Sequence, residues 1–185
     1  MKRALLVIDV QNEYFIGKLP IVHANRSLKN IIKSMDEASK NNIPIILIQH
    51  TEVENNSETF IRGSKEWEIH DEIKKRKHEC IIEKNFPGSF TETNLEELLR
   101  NMNVDTVVVC GYMTQMCCDT TARQAFHLGF SVEFLSDATG TLDISNNQGR
   151  ISAKELQKAI LIIQATRFSK VLTTDKWVEC IKNHI

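Results

Sequence analysis

Six short runs rich in β-branched and aliphatic residues alternate along this chain with segments of helical period, and that alternation constrains the fold more than any other feature. The runs are ALLVI (4–8), IPIILI (43–48), CIIE (80–83), TVVVC (106–110), SVEFL (131–135) and KVL (170–172). Several are apolar throughout, as strands covered on both faces are. Helical spacing marks about 24–41, 92–102, 118–129 and 151–167; in the last, Leu156, Ala159, Ile160 and Ile163 fall on one stripe. Strand and helix in succession predict an α/β fold of three layers, α/β/α, with a mostly parallel central sheet of about six strands.

The 185 residues contain no linker, repeat or low-complexity tract, so one domain over 1–185 is expected. Apolar residues at 42% and charged residues at 25% are the balance of a folded globular chain rather than a disordered one. Lys and Arg number 23 against 24 Asp and Glu, which leaves no basic excess to hold a phosphate backbone; nucleic acid is not an expected partner. The longest apolar stretches, such as 4–8 and 159–163, are too short to span a bilayer, so no membrane partner is expected either. The opening MKRALLVIDV starts like a signal peptide, but Asp9 breaks the run and no small-residue cleavage site follows, so it reads as a strand. Residues 65–80 carry five basic and five acidic side chains, the composition of a solvated helix or loop.

Five cysteines, an odd number and scattered, fit reduced thiols and a cytoplasmic location better than a secreted disulfide framework. There is no C-x-x-C pair. His78 and Cys80 lack the second ligand pair a structural zinc needs, so neither metal nor cofactor is expected.

In an open α/β sheet the active site lies beyond the carboxyl ends of the strands, where strand order reverses. The first run ends at Asp9, the third at Lys84, and the fourth leads through Gly111 to Cys117 at the start of a predicted helix. No G-x-G-x-x-G follows the first run and no P-loop exists, which excludes those two routes to nucleotide binding. A carboxylate, an amine and a thiol make sense together. A free thiol with a pKa of about 8.5 is only a few per cent thiolate at pH 7 and needs activation to act as a nucleophile. A helix N-terminus and Lys84 supply positive charge, and Asp9 can take the proton. Cys118, about 100° further round the helix, reads as a packing residue, and Cys110 as inert core. Cys80 and Cys180 carry no signal, and Gln11 reads as steadying the loop after the first strand.

Five segments in order, LLVIDVQNEYF (5–15), GSKEWEIH (63–70), EKNFPGSF (83–90), VVVCGYMTQMCCDTTARQAFHLGFSVEFLSDATGT (107–141) and RFSKVLTTDKW (167–177), resemble the isochorismatase-like cysteine hydrolases, a superfamily that includes nicotinamidases, N-carbamoylsarcosine amidase and ureidoacrylate amidohydrolases. The resemblance spans nearly the whole chain. It implies a Rossmann-like isochorismatase fold and a catalytic triad at Asp9, Lys84 and Cys117. It further implies a non-proline cis peptide between Tyr112 and Met113, with the N–H groups of Met113 and Cys117 as oxyanion donors. Tyr14 and Trp67 stand where relatives place pocket aromatics, and His50 is a candidate substrate contact, weighed against a satisfied surface-side histidine. Metal-dependent nicotinamidases carry an Asp-x-His pair where this chain has Gln49-His50; no metal is therefore expected.

The resulting expectation is hydrolysis of a C–N bond, amide or ureido in type, through a thioester. Two alternatives fit the sequence less well. Vinyl-ether hydrolysis of isochorismate is disfavoured because relatives with that activity lack the cysteine found here at 117. A non-catalytic binding protein on the same scaffold has no need of acid, amine and thiol together. Relatives often assemble, so a homo-oligomer acting on a small-molecule substrate is the expected form.

Overall fold

The computed structural model describes residues 1–54 and 56–183. Its strands are β1 (Arg3–Ile8), β2 (Ile45–His50), β3 (Cys80–Lys84), β4 (Thr106–Tyr112), β5 (Ser131–Gly140), the pair β6 (Ile144–Asn146) and β7 (Gly149–Ile151), and β8 (Lys170–Leu172). Six of them form one sheet in the order β3-β2-β1-β4-β5-β8, every neighbouring pair parallel. The order reverses between β1 and β4, so the crevice between their carboxyl ends is the place where this architecture puts ligands.

The helices are α1 (Ala24–Lys40), α2 (Asp71–Lys74), α3 (Leu95–Asn101), α4 (Asp119–His127), α5 (Ala153–Ile163) and α6 (Thr174–Lys182). Successive β1 side chains point to opposite faces and so build two cores. Leu5 and Val7 pack with Leu28, Ile31 and Met35 of α1 and with Trp177, Val178 and Ile181 of α6. Leu6 and Ile8 pack with Leu95 and Leu99 of α3 and Ala122 and Ala125 of α4. A buried bidentate pair ties the first strand to the fifth: Arg3 Nε and a terminal nitrogen reach Glu133 at 2.9 and 3.0 Å. Trp177 of α6 donates to the same carboxylate at 2.9 Å.

All six predicted strands are present, but four features differ from the sequence reading. β5 runs on to Gly140 through small and polar residues that carry no strand signal. The hairpin β6–β7 is polar on both arms, and α6 is a short helix capped by Thr173 Oγ1, which accepts from Lys176 N at 3.3 Å. The apolar stripe of α5 does not face the sheet: Ala159 and Ile163 are exposed, and Leu156 and Ile160 are half-buried. The helix packs instead on the turn around Cys117 and runs on into the π-helical turn Gln164–Phe168.

Candidate active site

Asp9 follows β1 in the left-handed region, at φ 49°. Asp tolerates that conformation better than most residues, and a non-glycine held there costs on the order of 1–3 kcal/mol, which the surrounding structure must impose. It is held by its own N–H on Ile48 O at 3.0 Å and by Gln11 N–H on its carbonyl at 2.8 Å. On the other side of the switch point Gly111, at φ 116°, lies so close to β1 that a Cβ would stand 2.0 Å from Ile8 O. Only glycine lets the two strands close there.

β4 ends in a cis peptide between Tyr112 and Met113. The chain then makes a π-helical turn, Thr114–Cys118, before α4 begins at Asp119. This differs from the simple helix start expected of the sequence, and the difference has a chemical effect. In an α-turn the Met113 carbonyl would accept from Cys117; here it accepts from Met116 and Cys118, at 3.1 and 3.2 Å. The wider turn passes over the Cys117 N–H and leaves it out of that carbonyl's bonding. Thr114 Oγ1 anchors the turn by donating to Gln157 Oε1 of α5 at 2.6 Å, and Gln157 in turn donates to Ser136 O and Thr139 Oγ1 of β5, both at 3.1 Å. Thr141 Oγ1 donates to Gln115 Oε1 at 2.7 Å.

Lys84, the last residue of β3, is almost fully buried. Its Nζ lies 2.8 Å from Asp9 Oδ2 and donates to Phe86 O at 3.0 Å and to Cys117 Sγ at 3.3 Å. The loop after β3 is fixed on α4 by Ser89, whose N–H meets Thr121 Oγ1 at 3.0 Å. Burial by itself lowers the Lys84 pKa, but Asp9 and Cys117 outweigh it and the net direction is up, so the amine is an ammonium. The Asp9 contact is an ion pair, and no donor with hydrogen-bond geometry reaches either Asp9 oxygen among the described residues. A desolvated carboxylate with undonated oxygens, facing a thiol, is an acceptor for that thiol's proton.

Cys117 itself is 7% exposed. Burial pushes its pKa up, Asp9 raises it further, and Lys84 pulls it down without cancelling the other two. The sequence reading expects a thiolate; here burial beside a carboxylate outweighs one ammonium, and the net direction of the Cys117 pKa is up, toward the thiol. Cys118 and Cys110 are buried among apolar side chains with pKa values raised by burial, the latter to about 12.

The other predicted residues fall in different places. Tyr14 is buried edge-on against Phe60 and Tyr112 with ring centroids 5.4 Å away, and lies close enough to Cys117 and Asp9 that their charges, after burial itself, raise its pKa. His50 is no surface-side residue: its Nδ1 is 3.4 Å from Lys84 Nζ. Trp67 is fixed by Nε1 on Thr51 Oγ1 at 2.7 Å and by its carbonyl, which accepts from Gln11 and Gln49 at 2.8 and 3.0 Å; none of these contacts is to the triad. Gln11 does steady the loop, holding both the N–H and the carbonyl of His50 as well. A cavity of about 770 Å³ lies beyond Tyr14, between Phe15, Ile21, Arg26 and His70.

The donor set does not fit a resident divalent cation. The Gln49 amide is spent on Trp67 O, His50 Nδ1 faces the Lys84 ammonium, and His70 Nδ1 accepts from Glu72 N at 3.2 Å. Among the described residues no group of three or more His, Cys, Asp or Glu side chains is placed to hold a metal ion. Gln157 and Phe86 were missed in the sequence, where neither stands out.

An isochorismatase domain model matches residues 3–176. The chain is 35% identical over 170 residues to the secreted isochorismatase effector Isc1 of Verticillium dahliae, covering 92% of this chain and 87% of the relative. It is 32% identical over 185 residues to nicotinamidase 3 of Arabidopsis thaliana, covering 94% and 85%. A crystal structure of a cysteine hydrolase from Pseudomonas syringae superposes with a TM-score of 0.92 at 26% identity, over all of this chain and 94% of the other.

Proposed function

The chain belongs to the isochorismatase family of hydrolases, and from that premise we propose that it cleaves the C–N bond of a small amide or ureido compound with Asp9, Lys84 and Cys117 as its triad. The observation that carries this reading is the buried Asp9 carboxylate, undonated on both oxygens, beside a thiol that the Lys84 ammonium also contacts. The likeness to a nicotinamidase and to a cysteine hydrolase supports the amide class.

Asp9 takes the proton of Cys117 as Sγ attacks the substrate carbonyl carbon. The oxyanion that forms accepts hydrogen bonds from the N–H groups of Met113 and Cys117, each worth roughly 3–4 kcal/mol in enzymes of this kind. Collapse breaks the C–N bond, and the leaving nitrogen takes the proton back from Asp9. Asp9 then removes a proton from water as its oxygen attacks the thioester carbonyl. Sγ leaves, recovers that proton, and the product acid is released. Lys84 holds carboxylate and sulfur in register and stabilises the sulfur while it is anionic. Tyr14 walls the substrate, with Trp67 behind it.

We place the enzyme in the cytosol as a homo-oligomer acting on a small molecule. Five unpaired thiols support the compartment. The exposed apolar face of α5, with Ile162 56% and Ile163 43% accessible, supports a second copy packed on it. No helix among the described residues is long and apolar enough to cross a membrane. A panel of small primary amides and ureido acids, assayed for ammonia release by wild type and Cys117→Ala, tests the activity. Turnover that survives Cys117→Ala overturns it.

A further inference from the structure

His50 ends β2 and Lys84 ends β3, and the two are register partners across the sheet. The imidazole is held from three sides. Gln11 clamps its backbone at 2.8 and 2.9 Å, the Phe60 ring meets it edge-on at 5.1 Å, and Glu52 Oε2 lies 3.8 Å from Nε2. An ammonium has three N–H bonds. Those of Lys84 have hydrogen-bond geometry to Phe86 O, Cys117 Sγ and His50 Nδ1, while Asp9 pairs with it by charge. Nδ1 can accept only if it carries no proton, so the ring proton sits on Nε2, on the side of Glu52.

We propose that His50 is a positioning residue: its neutral Nε2–H tautomer, oriented by Glu52, takes the third N–H of Lys84 and so aims the ammonium at Cys117. This rests on the reading of Lys84 and Cys117 given above, and it replaces a substrate contact for His50 with a role exerted through Lys84. Protonating the ring puts an N–H against the ammonium and removes the tether. The charges facing the ring are Lys84 from β3, Asp9 from the loop after β1, and Glu52 from its own loop. Burial and Lys84 lower its pKa, Asp9 and Glu52 raise it, and the net direction is down, which favours the accepting form.

Two measurements test this without the substrate. In protein labelled with ¹⁵N-histidine, His50 should show an unprotonated Nδ1 and a protonated Nε2, and should titrate below the ordinary histidine value of about 6.5. A dominant Nδ1–H tautomer, or titration at or above that value, overturns the proposal. In the second, iodoacetamide modification of Cys117 is followed at pH 8 by peptide mapping. His50→Leu should slow it about tenfold. His50→Asn, whose Oδ1 can accept where Nδ1 does, should recover most of that loss. Equal rates in all three proteins, or equal slowing in both variants, overturn it. Should His50→Leu fail to fold, the tautomer in wild type decides. Label on another cysteine sinks the nucleophile assignment instead, and is told apart because the tautomer result is independent of it.

Discussion

The Lys84 ammonium and the Asp9 carboxylate stand 2.8 Å apart with both side chains wholly out of water. Removing two charges from solvent is expensive, and apolar residues of the same shape fill such a space as well or better. A pair kept under those conditions is there for what it does to a third group, and the third group here is the Cys117 sulfur.

Asp9→Asn keeps the shape and removes the base. Turnover of any amide hydrolysed by wild type should fall by a factor of roughly 10²–10⁴. Because the change leaves Lys84 buried without its counter-charge, stability should fall by about 3–5 kcal/mol, so urea melts must precede the kinetics. Near wild-type turnover in a folded Asp9→Asn protein refutes the triad.

The raised Cys117 pKa sets the pH course of its alkylation. Iodoacetamide should react slowly at pH 7, and the rate should climb about tenfold per pH unit through the mildly alkaline range as the thiolate fraction grows. Cys110 and Cys118, with raised pKa values and no exposure, should stay unlabelled in the folded protein. A rate that has already levelled off at pH 7 contradicts the protonated resting thiol.

Arg3 and Glu133 form a second buried pair, far from the chemistry. Arg3→Met alone should destabilise by about 3–5 kcal/mol while leaving turnover per folded molecule unchanged. The double variant Arg3→Met/Glu133→Leu should regain part of that loss, since no charge is then stranded. Denaturant melts of the single and double variants give the comparison; additive losses count against a desolvated pair.

His50 and His70 both have pKa values lowered by burial. For a histidine depressed in the folded state, the unfolded chain binds protons more readily. Its contribution is therefore complete above the ordinary value of about 6.5 and drains away as pH falls toward the folded value. Melting temperature should decline below that point, and less steeply in His50→Asn. An identical slope in the variant removes His50 from the balance.

The exposed stripe on α5 makes a prediction about assembly. Ile163→Glu should shift a wild-type oligomer toward monomer in light scattering without lowering the melting temperature of the monomer. A wild-type protein that is monomeric at high concentration overturns the assembly proposal.

The strands β1, β2 and β4 are legible because their residues are buried on both faces and so read as unbroken apolar runs, and the clustering of Asp9, Lys84 and Cys117 because each closes or follows an apolar run. What was not legible depends on geometry that spacing does not carry. The stripe 156-159-160-163 has the period of a core helix, but period alone does not say whether a helix meets the sheet or the solvent. The π-helical turn at Thr114–Cys118 differs from an α-turn by one hydrogen bond, and no composition marks it. His50 was within reach: β2 and β3 are parallel neighbours, so the residues closing them stand side by side, and asking what lies next to Lys84 leads to it.

Glu133 gathers Arg3 of β1 and Trp177 of α6 on one carboxylate. β1 is a central strand on which Asp9 is mounted, and it is made before β5 and α6. Its buried guanidinium has no counter-charge until the fifth strand exists, and the cover over that carboxylate is incomplete until α6 folds down. A chain emerging from the ribosome therefore carries Asp9 early but cannot finish seating the strand beneath it until α6 has been made. Chains that stop or are clipped before α6 should accordingly lack a finished candidate site, even though Asp9, Lys84 and Cys117 all lie upstream of the break.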